Sequence, residues 1–215
     1  VAFIAIQILG SLNDTTAIAP LGRMIDNPNP AFRSRACYSL GSLGHETALP
    51  YLVKALTDSV AEVRHSAVSA MGHLPHEYAS EYARHLYGMF RDSADSVRAA
   101  AIQSLYFYRN VKSSGIRAAD FAVTLNDPSD LVRYVAVQAL GGGFPDTTVA
   151  GDLLIEALKD ENKYVRLEAI VSIKKLKYKE AVPILKAMYD TATVDEEFAI
   201  SEAIKEITNE TYPPF

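Results

Sequence analysis

DPSDLVRYVAVQALGGG, residues 127–143, decides the fold, because four other stretches of the chain repeat its plan. Its opening, an Asp followed by an Arg one to two helical turns on, returns as DNPNPAFR at 26–33, DSVAEVR at 58–64, DSADSVR at 92–98 and DENKYVR at 160–166. The closing arginines Arg33, Arg64, Arg98, Arg133 and Arg166 are separated by steps of 31, 34, 35 and 33 residues, which suits a repeat of two helices. Three residues after each Arg stands an alanine (Ala36, Ala67, Ala101, Ala136, Ala169). The next position is always apolar (Cys37, Val68, Ile102, Val137, Ile170), and so is the seventh (Leu40, Met71, Leu105, Leu140, Ile173). Offsets 3, 4 and 7 form one face of an α-helix, and the alanine admits a close neighbour.

A second apolar run precedes each pattern, as in ALPYLVKALTD at 48–58 and AGDLLIEALKD at 150–160, and ends at the Asp. Pro128 directly after Asp127 fits a helix start, with Asp as the cap and Pro in the first turn. Each unit therefore reads as helix, tight turn, helix, and neither helix buries its stripe without the next unit. The register puts Val1 where Val132 stands and sets Ala5, Ile6, Leu9 and Gly10 in core slots, so the chain starts inside a repeat. At the far end AVPILKAMYD (181–190) is a sixth first helix, and DEEFAISEAIKEI (195–207) its partner, with acids in place of the Val-Arg pair. The expected architecture is an all-α solenoid of about six helix pairs behind a leading half-repeat, one domain across 1–215 and a fragment of a longer chain.

The composition narrows the function classes. Hydrophobic residues at 49% and charged residues at 22% are ordinary globular usage. A net charge of −5 gives no general attraction for phosphate backbones or anionic lipid, so nucleic acid and membrane are not expected partners. VAFIAIQILG is too short to span a bilayer and lacks the charged start of a signal peptide, which points to a cytoplasmic protein unless a targeting segment lies outside these residues. Cys37 cannot pair within the chain and falls among apolar helix positions, where it serves as a small core residue.

The units LGSLGHETALPYLVKALTDSVAEVRHSAVSAMGHL (40–74) and DPSDLVRYVAVQALGGG resemble HEAT repeats of the subtype named after phycobilisome lyases. The resemblance implies a right-handed α-α superhelix with second helices lining a concave wall. It also implies a structural ladder between successive turns, formed by Asp26, Asp58, Asp92, Asp127 and Asp160 with Arg33, Arg64, Arg98, Arg133 and Arg166. Two groups of enzymes are similar in fold. Deoxyhypusine hydroxylases carry His-Glu pairs early in second helices as ligands for iron; the matching slots here read Ser34-Arg35, His65-Ser66, Ala99-Ala100, Tyr134-Val135 and Leu167-Glu168, with no complete pair. Bilin lyases share the repeat, but no catalytic residue carries over.

Candidate functional residues are those that the repeat does not need. On the second helices, offsets 1, 5 and 9 from the Arg face outward, and they hold Tyr134, then Tyr38, Gln103 and Gln138, then His73 and Phe107. Rigid aromatics beside adaptable amides suit a protein partner. Tyr38, Gln103, Phe107, Tyr134 and Gln138 are the expected contacts. His45-Glu46 and His76-Glu77 recur in one turn slot, but neighbouring packed helices lie about 8 to 10 Å apart and imidazoles must come within about 2 Å of a shared zinc, so no metal is expected. The third repeat is rich in aromatics, with Phe90 and some tyrosines expected in the core, and Tyr106 stands where three other repeats have glycine. Eight of the ten lysines lie at Lys159 or beyond and read as a solvated end, with an acidic partner as the alternative. Neither a phosphate loop nor a nucleophile elbow occurs, and Gly141, Gly142 and Gly143 read as a helix stop. The expected function is a non-catalytic scaffold without cofactor that holds a protein partner; the alternative is a metal- or chromophore-dependent enzyme of the hydroxylase or lyase kind.

Overall fold

The computed structural model describes residues 6, 8–10 and 14–213, and among them there are helices and connecting turns but no strand. The chain divides into two compact units, 1–116 and 117–215. In the first, the helices are α1 (Ile18–Arg23), α2 (Pro30–Leu43), α3 (Leu49–Ala55), α4 (Ala61–Met71), α5 (Ala79–Gly88) and α6 (Asp95–Phe107), with short 3₁₀ turns at several ends of the first helices. The second helices α2, α4 and α6 pack side by side, and α1, α3 and α5 cover them. In the second unit a 3₁₀ segment, Ala118–Asn126, takes the place of a first helix. It is followed by α7 (Asp130–Leu140), α8 (Thr147–Ala157), α9 (Lys163–Leu176), α10 (Val182–Tyr189) and α11 (Val194–Thr208). Again the second helices α7, α9 and α11 are neighbours.

The repeat register accounts for this packing. The residues at offsets 3, 4 and 7 from each of the five arginines are all fully buried. Burying a Leu, Ile or Val side chain contributes about 1.5–3 kcal/mol, so these columns add cohesion at every repeat. Cys37 lies among them, and burial pushes its thiol up to about 12, so it stays protonated and inert. Of the leading half-repeat, Ile6 and Gly10 are buried and Leu9 is half-buried, whereas Val1 and Ala5 lie outside the described residues. Successive second helices approach closely enough that a Cβ on Gly41 would stand 2.7 Å from the Ala70 Cβ, and one on Gly141 2.1 Å from the Ser172 hydroxyl. The buried hydroxyls in this column donate back to the previous repeat, Ser104 to the Val68 carbonyl at 3.0 Å and Ser172 to Val137 at 3.3 Å.

The second helices α2, α4, α6, α7 and α9 begin on the same device. The side-chain oxygen of Asn27, Asp58, Asp92, Asp127 or Asp160 accepts the backbone N–H two residues on, at 2.8–2.9 Å. The Arg six residues further donates Nη1 to that residue's carbonyl, at 2.8–2.9 Å. The remaining guanidinium edge reaches forward into the next repeat. Arg33 grips Asp58 through Nε at 2.6 Å and Nη2 at 2.8 Å, Arg64 grips Asp92 at 2.7 Å twice, and Arg133 grips Asp160 at 2.7 and 3.1 Å. Bidentate pairing of this kind is both strong and directional.

Two members differ from expectation. Asp26 is not part of the ladder: its neighbour Asn27 stands six residues before Arg33 and makes both turn contacts, while Asp26 is exposed and pairs with Lys54 at 2.5 Å. The final rung is built by Glu196, which occupies a core slot within α11. One of its oxygens takes Arg166 Nε at 2.7 Å, and the other closes a capping box with Thr193 at 2.7–2.9 Å. The expected first helix before α7 is wound as 3₁₀ instead, and there the Thr124 hydroxyl donates to the Phe121 carbonyl at 2.6 Å, the spacing of a 3₁₀ turn. The aromatic third repeat places Tyr82 and Tyr108 in the core, Tyr108 donating to the Leu74 carbonyl at 3.1 Å, while Phe90 is only half-buried against Tyr87.

The rungs make stability depend on pH. The hydrogen bond from Arg64 holds the Asp92 carboxyl below the ordinary range against the opposing effect of burial, with the Ala94 N–H assisting, and Arg33 does the same for Asp58. Burial pushes Asp160 and Glu196 upward, but the bonds from Arg133 and Arg166 and from backbone N–H groups outweigh it. A folded-state value below the unfolded value of about 3.9–4.3 stabilises the fold above that value, and the stabilisation fades as pH falls through the depressed values. Melting temperature is expected to be nearly level between about pH 7 and 5 and to fall steeply below about pH 4; a level profile down to pH 3 contradicts ionised rungs.

Candidate functional site

Once the inward columns and the rungs are assigned, the outward face of the second helices stands out on each unit. In the first unit, a cleft of about 600 Å³ opens between α2 and α4, lined by Tyr38, Ser42, His65, Ser66, Ser69 and His73 among others. Tyr38 is 61% exposed, with the Arg35 guanidinium 5.9 Å from its ring centre. Its small-residue floor follows from the packing columns, since Gly41 and Ala70 are where the two helices nearly touch. The Ser34 and Ser66 hydroxyls bond across the helices at 2.8 Å, and Ser42 donates to the Tyr38 carbonyl at 3.1 Å. The His73 ring then meets Phe107 of α6 at 6.2 Å, and Phe107 is itself 51% exposed. Hydroxyls and imidazoles between two exposed rings offer hydrogen bonds to a polypeptide backbone and apolar contact to its side chains.

The structure sorts the expected contacts unequally. Tyr38, Gln103 and Phe107 lie exposed in the first unit, and Gln138 lies exposed in the second. Tyr134, also in the second unit, is only half-exposed, and its hydroxyl donates to Glu168 Oε2 on α9 at 3.1 Å. Burial and the Glu168 charge raise its phenol above the ordinary value. The other oxygen, Glu168 Oε1, is buried and makes no hydrogen bond; Lys175 Nζ approaches it at 3.6 Å, beyond hydrogen-bond range. Tyr134 is thus tied into the wall as well as facing outward.

Sequence reasoning missed the most exposed apolar group of the second unit. Leu131, Tyr164, Val194 and Phe198 are 44%, 61%, 80% and 72% exposed, and all lie in the first two turns of α7, α9 and α11. Leu131 and Tyr164 stand three residues before Tyr134 and Leu167, on the same helical face, so the signal was present at an offset that went unread. Phe198 was hidden because α11 lacks the arginine that sets the register.

The histidine turns have local roles. His45 Nδ1 accepts the Thr47 N–H at 3.3 Å as a helix cap, and His76 packs edge-on against Tyr108 at 5.3 Å. Among the described residues no three His, Cys, Asp or Glu side chains are grouped so as to hold a metal ion, and no helix is long and apolar enough to cross a membrane.

Comparison with known proteins bears on the fold. A family model described as HEAT repeats matches residues 1–72 and 119–205, leaving out the aromatic stretch that carries Tyr106 in place of glycine. The sequence matches none of the curated proteins compared with it. Among solved structures, an engineered protein is similar at 15% identity, covering 89% of this chain and 96% of its own, with a TM-score of 0.61. A designed armadillo repeat protein in complex with the peptide (KR)4 is similar at 19% identity, covering 89% and 99%, with a TM-score of 0.56. The complex of CpcE and CpcF of phycocyanin lyase from a Nostoc species is similar at 17% identity, covering 96% and 88%, with a TM-score of 0.54.

The two tyrosines give a direct check on the wall. Tyr134→Phe leaves Glu168 without its hydrogen bond and is expected to cost about 1–3 kcal/mol, whereas Tyr38→Phe should change stability by less than about 0.5 kcal/mol. Urea melts that show equal effects would place Tyr134 in solvent or Tyr38 in the core.

Proposed function

The chain belongs to the HEAT-repeat family, and on that premise we propose that it is a non-catalytic scaffold whose outward second-helix faces hold a protein partner. The observation that carries this reading is the exposure of Tyr38 and Phe107, at 61% and 51%, at repeat offsets where the architecture asks for nothing. Large rings left in water gain from being covered, and aromatic anchors beside polar groups dominate protein interfaces. Each repeat spends its ion pairs and its inward columns on its neighbour, so conserving the fold leaves these positions free to be chosen for recognition. The neighbours are in keeping with it: one of them is in complex with a peptide and another is the complex of CpcE and CpcF.

Tyr38→Ala with Phe107→Ala tests the proposal in a crosslinking pull-down with the full-length protein. Loss of an anchor typically costs 2 kcal/mol or more, about thirtyfold in affinity, while an exposed substitution barely moves stability. A specific partner captured by the parent and lost by the double variant, with an unchanged melting curve, is the expected outcome. Capture that survives the double change removes this face from the interface. Protein purified from its native source with a visible chromophore or stoichiometric metal contradicts the non-catalytic reading.

A further inference from the structure

The chain's acidity is confined to its second unit. Residues 117–215 carry 11 Lys and Arg against 17 Asp and Glu, whereas residues 1–116 carry 10 against 9. The exposed apolar residues of that unit lie where this charge is displayed. Arg133 reaches Asp160 and Arg166 reaches Glu196, so α7, α9 and α11 are in matched register and their first turns are side by side. Leu131 and Tyr134, Tyr164 and Leu167, and Val194 and Phe198 therefore make one row across three helices. With neighbouring helices about 8–10 Å apart, the row is about 20 Å long, the span of about six residues of extended chain.

Within the row, Asp130, Leu131, Tyr134, Asn162, Tyr164 and Val165 line a cleft of about 230 Å³. Its walls are apolar and aromatic, and the Asp130 carboxylate stands at it, held by Asn162 Nδ2 at 2.6 Å. Asp195 and Glu197 lie in the first turn of α11, and Glu161, whose side chain is 89% exposed, lies between α8 and α9. The cations near this strip are Arg133, which grips Asp160 and also meets Glu161 at 3.4 Å, Arg166, committed to its rung, Lys159, which shares a cleft with Glu161, and Lys163, which lies 4.9 Å from the centre of the Tyr164 ring. That last contact shows a ring face already serving a cation. Acids at helix starts are favourable on their own account, but nothing in helix capping requires four large apolar side chains in water beside them.

We propose that this row is a docking site for a basic, apolar segment of a protein partner. About six residues bind extended across α7, α9 and α11. One large apolar side chain fills the cleft between Leu131 and Tyr164, and another covers Phe198. Lysines or arginines between them face Asp130, Glu161, Asp195 and Glu197. The inference rests on the scaffold reading in taking the occupant to be a protein, but it concerns a surface separate from Tyr38 and Phe107.

Fluorescence anisotropy on the whole chain at about 0.15 M salt tests it with three labelled synthetic peptides. The first alternates lysine and arginine with leucine and phenylalanine; the second has glutamate for every basic residue; the third has serine for every apolar one. The first alone is expected to bind, and both Tyr164→Ala with Phe198→Ala and Asp130→Asn with Asp195→Asn should weaken it at least tenfold. Tyr38→Ala with Phe107→Ala should leave it unchanged. Circular dichroism melts of the variants, all at exposed positions, separate lost binding from lost fold. Equal binding of the serine peptide reduces the effect to bulk charge and overturns the proposal, as does binding of the glutamate peptide. Loss of binding in the Tyr38 and Phe107 variant instead moves the occupant to the first unit, overturning this site while keeping the scaffold. No binding of any peptide to the parent overturns the basic, apolar occupant and leaves the scaffold reading to its own pull-down.

Discussion

A ladder arginine such as Arg64 satisfies its guanidinium by holding two repeats at once. One edge bonds the carbonyl of the turn that starts its own helix, and the other grips the carboxylate that caps the next, as Arg64 does with Asp58 and Asp92. The Asp is equally committed, since it accepts both the guanidinium and the N–H two residues on. Removing either partner leaves a largely buried charge unpaired, which is far costlier than the net worth of the pair. The rung thus fixes where each second helix begins, and from that start the Ala and Gly contacts between successive helices follow. A single repeat has only half of this arrangement, so the helices are stable as a stack and not alone.

What the stack leaves over is a set of outward positions whose chemistry differs between the units. The first shows hydroxyls, imidazoles and two exposed rings; the second shows a row of apolar side chains with carboxylates around it. The same backbone register supports both, which is why the fold by itself names no ligand. Tyr134 illustrates the boundary between the two roles: it faces outward by register, yet its bond to Glu168 makes it part of the wall.

The helical repeat was legible because a period of about 33 residues and the offsets 3, 4 and 7 are set by backbone geometry, which tertiary context does not alter. Tyr38, Gln103, Phe107 and Gln138 were read as outward by the same geometry and are exposed. Errors arose where a contact crosses between helices. Asp26 opens DNPNPAFR as Asp opens the other stretches, but that stretch is one residue longer than the others, and the turn is made by Asn27. Glu196 is one of the acids in place of the Val-Arg pair, and a glutamate there can reach back from within a helix to do what an Asp does from its cap. Leu131, Tyr164 and Phe198 went unremarked because an apolar residue at one offset means little until its neighbours on adjacent helices are known.

A double-mutant cycle on Arg64 and Asp92, using Arg64→Met and Asp92→Asn in urea denaturation, tests most directly whether the rungs carry the stack. The asparagine keeps the turn bond to Ala94, so the cycle isolates the contact between repeats. A coupling energy above about 1 kcal/mol is expected, with the double variant much less destabilised than the sum of the two single changes. Additive losses within about 0.3 kcal/mol would show that the ladder merely accompanies a stack held by its apolar columns.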